Sequence, residues 1–163
     1  MALIENREEL KNDNSSVTVN LSVDSLQSFL DDAINQHIIP AIGRDTYNLL
    51  LSKDFEALSA EETLLLFVQK AVVNFALAYY SNYGSLQLSD SGAHVTQSDG
   101  MRAASDKKIM QLRKESFRAG FAALEYAVEF LEKNLATFVA YSASDEHKEN
   151  RASFINSSIE FSK

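Results

Sequence analysis

Apolar residues recur at helical spacing in three long stretches of the chain. In the first, Leu26, Phe29, Leu30, Ala33, Ile34 and Ile38 form one stripe, and Ser22 or Asp24 can cap its start. Pro40 removes a backbone donor and biases Ile39 away from helical angles, which predicts an end there, with Gly43 supplying a left-handed turn. Asp45 is placed to cap the next helix, whose inner face holds Tyr47, Leu50 and Leu51. The second stretch opens on Ser59-Ala60-Glu61-Glu62, a capping-box spacing in which Ser59 accepts from the Glu62 amide and the Glu62 side chain reaches back. It should run to about Asn82, with Gly84 just past its end. Between Leu64 and Tyr80, 14 of 17 residues are apolar, interrupted by Gln69, Lys70 and Asn74. That is short and polar for a membrane span, so it predicts a helix buried at the centre of a bundle. In the third stretch Phe117, Phe121, Leu124, Val128, Leu131, Leu135 and Phe138 alternate in steps of four and three, a seam for packing on the central helix. This helix is expected over about 105–135. Gly120 within it costs about 1 kcal/mol relative to alanine, a cost that close approach of a neighbouring helix would offset.

The remaining segments lack that periodicity. Residues 3–11 could form a short helix. Residues 12–16 read as a loop, and Val17, Val19 and Leu21 alternate as a brief extended arm. Residues 84–104 are long for a structureless connection inside a domain. They predict a protruding loop or a small β-hairpin, with Leu86-Gln87-Leu88 and Val95-Thr96-Gln97 as strands and Gly92 at positive φ. Beyond 142 a polar run gives way to Phe154, Ile155, Ile159 and Phe161, a terminal arm suited to docking. The expected fold is therefore all-α. Four or five helices surround a central apolar helix in a single domain spanning 1–163, with arms at 1–21 and 142–163 and a projection at 84–104.

Composition narrows the function classes. One Pro, five Gly and 45% hydrophobic residues fit long helices and disfavour a turn-rich sandwich or barrel. The chain has no Cys, which removes disulfides, thiolate metal sites and cysteine nucleophiles. Glu5, Glu8 and Glu9 stand where a signal peptide needs positive charge, so the expectation is a soluble intracellular protein. The net charge of −8 is uneven. Residues 1–62 carry twelve acids against four bases, whereas 101–120 carry six bases against two acids. An acidic chain holds nucleic acid poorly, but a local basic run suits another acidic surface.

Candidate chemistry is sparse. His37 lacks a ligand at the next helical turn and reads as a partly buried histidine near a helix end. His147 lies among Asp145, Glu146 and Glu149, but consecutive positions on a helix point apart. His94 falls in the hairpin with no evident partner. The acid pairs Asp31-Asp32 and Glu61-Glu62 are neighbours on helices and cannot converge as catalytic pairs do; they read as solvated faces. No phosphate-binding glycine loop, nucleophile elbow or HExxH occurs. Lys107, Lys108, Lys114 and Arg118 share roughly one helix side, either a solvent face or a contact with an acidic neighbour. The six tyrosines suit an interface or the edge of a core.

Three strings point further: Ala33-Ile34-x-x-x-Ile38-Ile39-Pro40-x-Ile42-Gly43-x-x-x-Tyr47-x-x-Leu50; Asn74-Phe75-Ala76-Leu77-Ala78-Tyr79-Tyr80 with Gln87-Leu88-Ser89-Asp90-Ser91-Gly92; and Gly120-Phe121-x-Ala123-Leu124-Glu125-x-x-Val128-Glu129-Phe130-Leu131-Glu132. Over most of residues 20–161 the chain resembles an uncharacterised helical family of phages and prophages of gut Bacteroidetes. More loosely, it is similar to phage head–tail connector proteins, small helical bundles that assemble as rings beneath the portal. That resemblance implies a non-enzymatic virion structural protein with no cofactor, cytoplasmic in its bacterial host and then part of the virion. Its implied partners are further copies of itself in a ring, the portal and tail proteins, and DNA as passing cargo, with no membrane. A prophage-encoded adaptor or regulatory binding module is the other reading. Candidate interface residues are Arg102, Lys107, Lys108, Lys114 and Arg118 on the basic face, Leu86 and Leu88 in the hairpin, and Phe154, Ile155 and Phe161 in the terminal arm.

Overall fold

The computed structural model describes residues 3–4, 23–52, 55–57, 59–83, 86–89, 92–95 and 106–143. Of the arms expected at 1–21 and 142–163, all but residues 3–4 of the first and 142–143 of the second lie outside them, Phe154, Ile155 and Phe161 included, as does Arg102. The architecture is an all-α bundle. In chain order, α1 is Val23–Ala33, followed by a π-helical turn Ile34–Ile38, α2 Ile39–Ile42, α3 Arg44–Leu50, the central α4 Ala60–Tyr83, the long α5 Asp106–Lys133 and α6 Val139–Ala143. Between α4 and α5, β1 Leu86–Ser89 and β2 Gly92–Val95 pair antiparallel, Leu86 opposite Val95 and Ser89 opposite Gly92. The hairpin forms as expected but in a tighter register. Gly92 opens the second strand instead of taking the turn, and Thr96 and Gln97 lie outside the described residues.

The α4 helix packs along α5, and α1 packs on α4. Its apolarity on most sides is explained by this position. Leu64, Val68, Ala71, Val72, Phe75 and Ala76 have no exposed surface. By length and composition α4 could cross a membrane, but most of it is buried inside the bundle, as in a soluble core helix. The Ser59 hydroxyl accepts from the Glu62 amide at 3.1 Å, the forward half of the capping box, while the Ser59 amide donates to the Glu56 carbonyl at 3.0 Å.

The helix does not stop at Pro40. Ile39 is helical (φ −58°, ψ −42°), and its amide donates to the Ile34 carbonyl five residues back. An α-helical continuation would drive the Pro40 ring into the carbonyl four residues earlier, and the wider π turn moves that carbonyl aside. Ile38 and Ile42, both fully buried, hold the turn in the core and override the local bias. Gly43 has positive φ as expected, but with ψ 154° it is extended rather than left-handed helical, a region open essentially to glycine. Gly43 also occupies the cap position of α3. Asp45 is not the cap; it lies in the first turn, where its charge still favours the helix dipole.

The α5 seam is buried at Phe121, Leu124 and Leu131 and half-buried at Phe117 and Val128. Leu135 leaves the seam at 42% exposure because α5 ends at Lys133 and residues 134–137 turn away. The chain returns at Phe138, which is buried and packs on Phe130 with the rings 6.3 Å apart. Leu3 and Ile4 are also core residues, Leu3 in a bend rather than the expected helix. The Leu3 carbonyl accepts from the buried Gln69 amide at 2.9 Å, which accounts for a glutamine in an apolar helix.

Candidate functional site

Two features stand out: an aromatic and imidazole node where the π turn crosses α4 and α5, and a charged face along α5.

The π turn sets His37 against the side of α4. The His37 ring stacks on Phe75, centroids 4.1 Å apart and 20° between planes, and meets Phe121 edge-on at 5.5 Å. Phe75 meets Phe121 edge-on at 5.0 Å, and Tyr79 meets Phe117 edge-on at 5.5 Å. The Arg113 guanidinium lies 5.6 Å from the Phe117 ring centre, within cation–π range. His37 Nε2 is 2.7 Å from the Tyr79 hydroxyl, which donates to Gln36 Oε1 at 2.9 Å. The phenol has one proton. With it given to Gln36, His37 Nε2–H must be the donor to the Tyr79 oxygen, which fixes the tautomer.

Burial holds the His37 pKa below the ordinary value of 6.5, so the ring is neutral near pH 7. The Tyr79 phenol is pushed up, first by burial and then by the Asp32 carboxylate, with Arg113 opposing. Neither group is poised as a base or nucleophile at neutral pH; both are packed and oriented by the bundle. Since the unfolded state binds a proton at His37 more readily than the folded state, this contribution to stability is intact above pH 6.5 and declines as pH falls below it. In an NMR titration, His37 should titrate with a midpoint below 6.5; a midpoint at or above 6.5 would remove the buried-imidazole account. His37→Gln should flatten the same part of the stability profile.

A second recess, about 270 Å³, lies between Leu3, Ile4 and α1, with Asp31 and Tyr47 as polar lining groups. Burial and the Asp31 charge raise the Tyr47 pKa, so this phenol also stays protonated. Among the described residues, no three His, Asp or Glu side chains are placed to hold a metal ion. Asp31 and Asp32 are exposed, and Asp31 accepts from Gln27 at 3.0 Å; Glu61 and Glu62 are half-buried in the first turn of α4. His147 lies outside the described residues, and His94 stands opposite Gln87 in the β-ladder.

Of the candidate interface residues, Lys107, Lys114 and Arg118 share one exposed face of α5, and Lys108 is exposed about 100° round the helix from Lys107. Leu86 and Leu88 both belong to β1. The acidic half of the same α5 face, Glu125, Glu129 and Glu132, is a feature that sequence reasoning missed. Its signal was present in the spacing 118, 122, 125, 129, 132. The His37–Tyr79 bond had no such signal, because it joins residues 42 apart.

No curated protein and no solved structure matches the chain. The model of a family of unknown function, DUF6712, matches residues 24–151, which takes in all of α1 to α6 except the first residue of α1. The bundle described above is thus the body of the matched region, and the chain belongs to the DUF6712 family.

Proposed function

We propose that the protein is a non-enzymatic structural subunit of a phage or prophage virion, a head–tail connector that works by docking on copies of itself and on portal and tail proteins. The observation that carries this reading is the exposed α5 face. It is a helix, anchored on α4 along its buried side, that presents basic Lys107, Lys114 and Arg118 on one face, with Lys108 to one side, in an otherwise acidic chain. Large apolar side chains exposed beside the bundle add further docking area: Met110 (70%), Val139 (64%) and Leu66 (55%). The phenol and imidazole of the central node stiffen this scaffold and are held neutral at pH 7, which suits a packing role better than proton transfer. An acidic overall surface also lets duplex DNA pass without being retained.

Quantitative mass spectrometry of purified particles of the encoding phage tests the reading. A connector should be present in a fixed number of copies per particle. Abundance in the host cytosol with absence from particles would overturn it in favour of the adaptor module.

A further inference from the structure

The exposed face of α5 carries a sign pattern along its whole length. Lys107, Gln111, Lys114, Arg118, Ala122, Glu125, Glu129 and Glu132 follow one another in steps of four and three, and therefore form one stripe. All are exposed except the half-buried Glu132. The charged positions in the first half of the stripe are all basic and those in the second half all acidic, with the small Ala122 near the crossover. From Lys107 to Glu132 the stripe is about 38 Å long.

Helix stability does not account for this order. A helix dipole favours acids near the N-terminus and bases near the C-terminus, and the stripe runs the other way. Asp106 and Lys133, at the extreme ends of α5, follow the dipole rule; the stripe between them does not. Among the described residues, Glu129 pairs with Lys133 at 2.6 Å and Gln111 donates to Glu115 at 2.9 Å, both side contacts at helical spacing.

An antiparallel arrangement does account for it. When two α5 helices run in opposite directions about a centre at residues 119–120, Lys107 of one copy comes level with Glu132 of the other. Lys114 meets Glu125, Gln111 meets Glu129, and the Arg118 stem crosses the small Ala122. Every charge on the stripe then faces its opposite or a neutral residue, and two-fold symmetry repeats each pairing. A parallel pairing would oppose like charges throughout. We infer that the α5 stripe is a self-recognition surface whose occupant is the same stripe of a second, antiparallel copy of this chain.

This inference rests on the docking reading above and names one of its partners. The contact is almost wholly charged, so it is salt-sensitive and weak for an isolated pair, and it gains strength where other contacts already hold copies together.

Three chains test it by sedimentation at about 50 mM and about 500 mM salt, where screening differs severalfold: the parent, Lys114→Glu, and Glu125→Lys. The parent should dimerise reversibly, with affinity falling at least roughly tenfold at the higher salt. Each variant sets like charges opposite each other at both Lys114–Glu125 pairings and should be monomeric, yet an equimolar mixture of the two matches every pairing again and should form a heterodimer. Circular dichroism should show all three chains equally folded, since the substituted positions are exposed; should either variant unfold, the chain carrying both reversals, which restores the antisymmetry, replaces it and should dimerise as the parent does. A monomeric parent at low salt overturns the inference. So does a mixture that fails to associate, or rescue of Lys114→Glu by lysines at Asp24, Asp31 and Asp32 instead. Oligomers that ignore both reversals overturn the α5 pairing while leaving the docking reading intact; absence from particles removes the docking reading whatever the sedimentation shows.

Discussion

Phe75→Ala should lower the unfolding free energy by about 3–5 kcal/mol, the largest loss expected from any single truncation in the node. Phe75 has no exposed surface, and its ring is closed in on three sides. His37 lies flat against it at 4.1 Å, Phe121 meets it edge-on at 5.0 Å, and the backbone of Gly120 lies beneath it. Removing the ring deletes contacts between the π turn, α4 and α5 at once, and the neighbours are too constrained to collapse into the space. Urea unfolding should show an earlier midpoint with an unchanged slope. The same substitution should let the His37 midpoint rise toward 6.5, because the stacked ring is part of what excludes water. A loss under about 1 kcal/mol would mean that the three elements do not meet at this ring.

The parts of the fold that sequence made legible are those set by residues close together along the chain. The steps of four and three from Phe117 to Leu131 report one helix face directly, and the burial of Phe121, Leu124 and Leu131 follows from it. Ser59 was readable as a cap because a cap and its amide are three residues apart. The π turn was not, because the rule for Pro40 is local, whereas burial of Ile38 and Ile42 is a demand of the whole core. Leu3 and Ile4 were hidden for a similar reason. Nothing near them in sequence says that Gln69, 66 residues away, donates to the Leu3 carbonyl. The α5 stripe was half legible. Summing charge by segment isolates the basic run ending at Arg118 but merges the acids from Glu125 onward with the C-terminal region. The continuous helix Asp106–Lys133, read position by position and not by segment sums, puts both on one face. Function is the least legible layer, since the matching strings are packing motifs, and packing constrains shape more than partners.

Gly120 separates two effects that push in opposite directions. By helix propensity alone, Gly120→Ala should stabilise the protein by about 1 kcal/mol. The packing forbids it. A Cβ at this position would lie 2.8 Å from both Cδ1 and Cε1 of Phe75, closer than real Cβ contacts come, and 3.1 Å from Cγ, tighter than most. Those atoms belong to a ring clamped between His37 and Phe121, so the ring cannot swing away as a flexible chain end would. Either α4 and α5 separate or the whole node shifts, and overpacking of this kind costs about 1–3 kcal/mol. The expected balance for Gly120→Ala is a loss of up to about 2 kcal/mol, and for Gly120→Val, with its branched side chain, a loss larger by at least about 1 kcal/mol. The sign should reverse once the clamped ring is gone. In a Phe75→Leu background, Gly120→Ala should be neutral or stabilising by up to about 1 kcal/mol, giving a coupling of about 1–3 kcal/mol in a double-mutant cycle. Additive behaviour, or an alanine that stabilises the parent chain, would show that α4 and α5 are not in close contact at this crossing, and the node that orients His37 would lose its floor.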